Sequence, residues 1–151
     1  MLKNYTSDVP VGRTIARIEE CLMKAGATGI LKDFSSGRVS ALCFKLPLPQ
    51  ATGKEIAIRL PTNEEAIYTV LSSFVRRPRA GTEERLRDQA SRTAWKLMQD
   101  WIEVQLSLIQ MKQADALQVF LPYVWNGKQT FYQSLSESKF KMLAGGTEVP
   151  A

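Results

Sequence analysis

The feature that most limits how this chain can fold is a single apolar stripe. Leu86, Ala90, Ala94, Leu97, Trp101, Val104 and Leu108 recur every three or four residues, the period of one face of an α-helix. Met98, Ile102 and Ile109 widen the stripe in its second half. Thr82 stands before it as a cap, and Glu83 and Glu84 fill the first turn, where the positive end of the helix dipole favours them. The pattern fades near Gln113. A helix of about 30 residues is roughly 45 Å long. In a chain of 151 residues, the size of one domain, such a helix spans the whole body, and the remaining elements must pack on its flanks.

The segments before it sort by period. Val11, Ile15, Ile18, Leu22 and Ala25 form one helical stripe after Pro10, with Arg13, Arg17, Glu20 and Lys24 outside it and Gly26 as a stop, so a helix is expected over 10–25. Three strands follow. "TGILKD" is short, and "SSGR" is turn chemistry. "VSALCFKL" sets Leu42, Phe44 and Leu46 on one face against Val39, Ala41 and Cys43 on the other, and "KEIAIRL" alternates Ile56, Ile58 and Leu60 with Glu55, Ala57 and Arg59. An antiparallel meander with one face covered by helices fits this spacing. "PTNEEAIYTVLSSFV" then starts a second helix, capped by Thr62 or Asn63 and ended by Pro78, with Ala66, Ile67, Val70, Leu71 and Phe74 as its buried face.

After the long helix, Asp115 can cap a short helix ended by Pro122, and Asn126-Gly127 marks a tight turn. Phe120, Tyr123, Trp125, Phe131 and Tyr132 form an aromatic cap that closes the core. The expected fold class is therefore α+β: an N-terminal helix, a small three-stranded antiparallel sheet, a second helix, a long third helix and an aromatic C-terminal cap. Residues 1–135 form the single domain, and 136–151 form a polar, glycine-bearing flexible tail.

Composition removes several chemistries. There is no histidine, so the commonest general base and metal ligand is missing. Two cysteines without histidine cannot assemble a zinc site. Cys21 and Cys43 lie inside apolar patterns and read as small buried hydrophobes rather than a disulfide. The carboxylates gather at helix starts, where capping explains them. Asp100 and Glu103 are three apart on the long helix, a spacing compatible with one divalent ion but ordinary for a solvated pair. "AGGT" at 144–147 has no strand before it, so it is not a phosphate loop. These points lead to the expectation of a non-enzymatic protein with no cofactor and no metal. No apolar run approaches the roughly 20 residues of a membrane span, and "MLKNYTSDVP" lacks the core of a signal peptide. A cytoplasmic location and no membrane partner are expected.

The net charge is +5, and it is not evenly spread. Residues 76–96 hold Arg76, Arg77, Arg79, Arg85, Arg87, Arg92 and Lys96 against Glu83, Glu84 and Asp88, a local excess of +4. Arg85, Arg92, Lys96, Gln99 and Glu103 share one helical face opposite the stripe through Leu97, Trp101 and Val104, and Arg76, Arg77 and Arg79 precede the helix. Arginine's planar fork suits phosphate oxygens, and helix N-terminal amides favour anions. In this reading Arg76, Arg77 and Arg79 anchor phosphates, Arg85, Arg92 and Lys96 extend the track, and Trp95 beside Lys96 stacks on a base. The competing reading is an ordinary solvated helix face, with Glu84–Asp88 and Asp88–Arg92 as i,i+4 neighbours. An acidic or nucleic-acid-binding host protein is the other partner that would fit. The surplus apolar residues Met98, Ile102 and Ile109 suggest a homodimer through the long helix.

Several stretches resemble a group of small uncharacterised accessory proteins of bacteriophages and prophages: "VPVGRTIARIEECLMKAGATGILKDF", "IAIRLPTNEEAIYTVL", the arginine-rich entry, "RTAWKLMQDWIEVQLSLIQ" and "VFLPYVWNGKQTFYQSL". The likeness runs through most of residues 7–135. It implies a phage protein acting in the host cytoplasm, either binding nucleic acid in DNA replication or recombination, or acting as a protein-binding inhibitor of host defence such as an anti-CRISPR. Over 10–77 the expected element order is similar to that of a double-stranded RNA-binding domain. Such domains start their last helix with lysines, whereas "PTNEEA" is acidic, which speaks against that mode of RNA binding.

Overall fold

The computed structural model describes residues 2–144. The order is α1 (Val11–Lys24), β1 (Gly29–Ser35), β2 (Arg38–Pro47), β3 (Glu55–Pro61), α2 (Glu64–Ser73), α3 (Thr82–Gln110), α4 (Ala116–Phe120) and α5 (Phe131–Glu137), with 3-10 turns at Leu121–Tyr123 and Lys141–Ala144. The three strands form one antiparallel sheet in the order β1-β2-β3. This is the α+β arrangement that the periodicities point to.

The β1–β2 connection is two residues long, and both take positive φ, 51° at Ser36 and 74° at Gly37. That geometry matches the right-handed twist of the strands it joins. A bulge follows. Asp33 pairs with Ala41 but Phe34 pairs with Val39, which leaves Ser40 as the extra residue. The bulge shifts the phase of β2, so Val39 packs against the main core instead of sharing the face of Ala41 and Cys43 as its parity suggests. The Ser40 carbonyl left over accepts from the Thr62 backbone N–H at 3.0 Å and from its hydroxyl at 3.2 Å. This pins the chain between β3 and α2.

The core is a three-way contact. Leu42, Phe44, Leu46, Ile56, Ile58 and Leu60 on one face of the sheet meet Ile15, Ile18 and Leu22 of α1 and Trp95, Ile102 and Leu106 of α3. Full burial of side chains this large stabilises by roughly 1.5–3 kcal/mol each. The aromatic cap closes one end of this core. Phe120 stands edge-on to Phe44 and Trp101 at 5.5 and 5.7 Å, and Tyr123 meets Trp101 at 5.5 Å. Trp125 and Phe131 are half-buried, and Tyr132 is exposed, its ring 5.9 Å from Phe140. Gly127, at φ 96°, completes the expected tight turn, and the Asn126 side chain accepts from the backbone N–H groups of Lys128 and Gln129. The boundary expected at 135 falls inside α5. Of the expected tail, 145–151 lies outside the described residues, as does nearly all of "AGGT".

The long helix is present, but its buried side is not the expected one throughout. Val104 and Leu108 are exposed, and the stripe that meets the sheet and α1 runs through Ser91, Trp95, Ile102 and Leu106. The small polar residues Ser91 and Thr93 are buried because each has a partner: the Ser91 hydroxyl donates to Glu64 at 3.0 Å and the Thr93 hydroxyl to the Asn4 carbonyl at 3.0 Å. Ile102 is fully buried, and Met98 and Ile109 pack against the core. Of the apolar residues expected to be surplus, only Ile102 is wholly enclosed, and Met98 and Ile109 remain half-buried. Thr82 is not the cap. Gly81 takes that place at φ 83°, while the Thr82 hydroxyl accepts from the Arg79 N–H at 2.9 Å.

Helix α2 is also rotated from expectation. Its side chain cap is Asn63, which accepts from the Ala66 N–H at 3.1 Å. It forms a second small cluster with α3, in which Ile67, Tyr68, Leu71 and Val75 pack with Leu86 and Ala90. Ala66, Val70 and Phe74 are left exposed. The helix–strand–strand–strand–helix order thus matches the RNA-binding analogy, but α2 packs on α3, and α3 shares the covered face of the sheet with α1.

Candidate functional site

The seven cations of residues 76–96 fall into two groups. Arg76, Arg77 and Arg79 lie on the connection between α2 and α3, and Arg85 lies on the second turn of α3. All four are exposed, and none has an ion pair or side-chain hydrogen bond among the described residues. Elsewhere Arg17, Arg38, Arg59 and Arg87 each meet a carboxylate within 4 Å. The connection is built to stay open. Val75 packs into the small α2–α3 cluster, the next residues turn outward past Pro78, and Gly81 supplies the left-handed conformation that lets the chain re-enter α3.

The second group is engaged. Arg87 donates to Glu65 at 2.9 Å and to Glu83 at 3.2 Å, and its guanidinium carbon stands 4.0 Å from the centre of the Tyr68 ring. Those hydrogen bonds hold its pKa above the ordinary arginine value. Arg92 donates to the Ser7 carbonyl at 3.1 Å and to Gln89 at 2.8 Å. Lys96 donates to Gln99 at 3.2 Å and lies 4.0 Å from Asp100. The expected phosphate track along α3 therefore stops after its first turns. The acids are redistributed as well. Asp88, an i,i+4 neighbour of Arg92, instead accepts from Arg38 of β2 at 2.6 Å. Glu84, next to Arg85 in sequence, is left exposed.

For Arg92 the cause is the N-terminal segment, in which the sequence shows no pattern. Residues 4–7 lie along α3, where the carbonyls of Asn4 and Ser7 accept from Thr93, Gln89 and Arg92, and the Asn4 side chain donates to Asp100 at 2.9 Å. Burial works to raise the Asp100 carboxyl, but the hydrogen bonds from Asn4 and Lys3 and the charges of Lys3 and Lys96 outweigh it, and its pKa lies below the ordinary value. Glu103 faces different partners, Arg17 at 3.6 Å and the Gln99 amide at 3.0 Å. Asp100 and Glu103 thus have separate partners, and no group of three or more metal-ligating side chains occurs among the described residues.

Trp95 requires a correction. It is 0% exposed, at the centre of the core, with its indole Nε1 lacking a partner. It cannot stack on a base. It precedes Lys96 in sequence, but on a helix adjacent residues point about 100° apart, and here that step carries one inward and the other to the surface. Both cysteines are free, and their pKa values are raised, by burial first and then by Glu103 at Cys21 and Asp33 at Cys43, so both stay thiols.

Two concave regions flank α2, and neither is lined by the open arginines. A polar cleft of about 440 Å³ between the β1–β2 turn and α2 is lined by Arg38, Glu64, Glu65, Tyr68 and Arg87; Arg87 pairs with Glu65, Arg38 with Asp88, and Glu64 accepts from Ser91. An apolar groove of about 380 Å³ runs between α2, α3 and the 3-10 turn, lined by Ala66, Ile67, Leu97, Met98, Trp101 and Tyr123. No described helix is long and apolar enough to cross a membrane. No family model matches the chain, and no curated protein or solved structure matches it significantly.

Proposed function

We propose that the protein binds the phosphate backbone of nucleic acid through the arginines at the entrance to α3, and that it does so without covalent chemistry. One observation carries the reading: Arg76, Arg77, Arg79 and Arg85 are exposed and unpaired among the described residues, while of the other arginines Arg17, Arg38, Arg59, Arg87 and Arg92 are matched and Arg13 stands open by itself on α1. Unmatched guanidinium groups gathered at one place create a local field that attracts polyanions. Their forked donors fit phosphate oxygens. The setting we propose, a phage accessory protein in the host cytoplasm, rests on the sequence likeness alone.

A labelled oligonucleotide titrated with the protein should show binding that weakens as salt rises. Four phosphate contacts give a slope of log affinity on log salt of about −3. A slope near zero, or no binding at low salt, overturns the reading. A second reading has its own support in the apolar groove beside Trp101 and Tyr123. A surface of that kind favours a protein partner, as an inhibitor of a host defence complex such as an anti-CRISPR would need. That reading expects no oligonucleotide shift and co-purification with a host complex.

A further inference from the structure

Helix α2 leaves a strip of apolar surface open. Ala66, Val70 and Phe74 are spaced at i, i+4 and i+8, are exposed, and take no part in the cluster that holds α2 to α3. Val70 is 42% exposed and Phe74 is 62% exposed. Phe74 is the C-cap of the helix, so Arg76 follows it by two residues and Arg77 by three. Chain geometry keeps the Cα of Arg76 within about 7 Å of that of Phe74. An uncovered aromatic ring thus stands at the head of the arginine connection.

This pairing of surfaces narrows what the arginines can hold. A duplex offers phosphates and grooves, and even small duplex-binding modules bury about 600–1,000 Å² along an extended track. Here the track along α3 is closed, because Arg92 and Lys96 are bonded to the N-terminal segment, Gln89 and Gln99. An exposed phenylalanine and valine have no role against a phosphate backbone. A single strand offers what this surface lacks: unstacked bases with apolar π-faces, linked by phosphates at short intervals. Aromatic platforms beside cations are how single strands are held without sequence preference.

We infer that the surface formed by Phe74, Val70, Arg76, Arg77 and Arg79 receives single-stranded nucleic acid, with a base stacked on the Phe74 ring and the neighbouring phosphates on the arginines. This rests on the phosphate-binding reading and adds to it the class of strand and the stacking residue. Trp95, the aromatic that the sequence offers for this role, is excluded by burial.

The test uses the full chain and fluorescence anisotropy with three probes: an oligo-dT of about 15 nucleotides, an oligo-U of the same length and a duplex of equal length. Three variants are compared with the wild type: Phe74→Ala, Phe74→Leu and the triple Arg76→Ala/Arg77→Ala/Arg79→Ala. The expected result is tighter binding of the single strands than of the duplex. Phe74→Ala should weaken single-strand binding about tenfold or more with an unchanged melting temperature. Phe74→Leu, which keeps the apolar bulk and removes the ring, should weaken it similarly, so the result does not hang on Phe74→Ala staying folded. The triple variant should lose all three probes. If both Phe74 variants bind like the wild type while the triple variant does not, the stacking inference fails and the phosphate reading stands. A preference for the duplex also overturns the inference alone. No binding to any of the three probes at low salt overturns both.

Discussion

The first four cations of residues 76–96 and the last three have similar neighbours in sequence and opposite fates in the fold. Arg76, Arg77, Arg79 and Arg85 stand open, whereas Arg87, Arg92 and Lys96 are held by Glu65, Glu83, Ser7, Gln89 and Gln99. What separates them is whether another element passes close by. Helix α2 lies against Arg87, and residues 4–7 lie along Arg92 and the helix around it; nothing described crosses the connection. A count of charge in a window measures supply. The packing decides how much of that supply reaches solvent.

The largest expected effect breaks the comparison at the core side. Trp95→Ala empties a fully buried site and should destabilise by about 3–5 kcal/mol, read in denaturant unfolding. A variant that stays near wild-type stability and loses nucleic-acid binding would return Trp95 to the surface and contradict the fold. Arg92→Ala comes next. It leaves the Ser7 carbonyl with Gln89 as its remaining donor and removes one of several ties that hold the N-terminal segment to α3, at about 1–3 kcal/mol. The melting temperature should fall by roughly 2–4 °C per kcal/mol, with oligonucleotide affinity unchanged in the folded protein. A loss of affinity without loss of stability would move Arg92 into the open group.

A smaller effect concerns Asp100. Its folded pKa is depressed, so the stability it contributes is present above its unfolded value, about 3.9, and is lost as pH falls through the lower folded value. Asp100→Asn should therefore melt below the wild type at neutral pH, and the gap should close in strong acid. A gap that persists below about pH 2 would show that the contribution is not ionic. The smallest effect belongs to Arg85→Ala, which should change stability by under about 0.5 kcal/mol, since nothing described depends on that side chain. A larger loss would mean that the open group also supports the fold.

Much of the fold is legible in the sequence because its signals are local. The stripe of α1, the alternation of β2 and β3, the Asn63 cap and the Asn126-Gly127 turn each depend on residues a few positions apart. Three things were not. The bulge at Ser40 comes from pairing with β1 and moves Val39 to the other face. The rotation of α2 comes from Tyr68 under Arg87 and leaves Phe74 outside. The inward turn of Trp95 depends on Ser91 and Thr93, polar residues that join the buried face because Glu64 and the Asn4 carbonyl receive them. The arginines of the candidate site were visible as a cluster. Their division into open and engaged sets was not, because it depends on α2 and the N-terminal segment lying against α3, contacts between residues far apart in sequence.

The central claim is that the entrance arginines are free for a ligand while the helix-body cations hold the fold. Two triple variants test it side by side, Arg76→Ala/Arg77→Ala/Arg79→Ala and Arg87→Ala/Arg92→Ala/Lys96→Ala, each measured by thermal melt and by single-strand titration. The account predicts a crossover: the entrance variant melts within about 2 °C of the wild type and loses roughly a hundredfold in affinity, while the body variant melts lower and keeps its affinity where it is folded. An entrance variant that unfolds, or a folded body variant that alone loses binding, contradicts it.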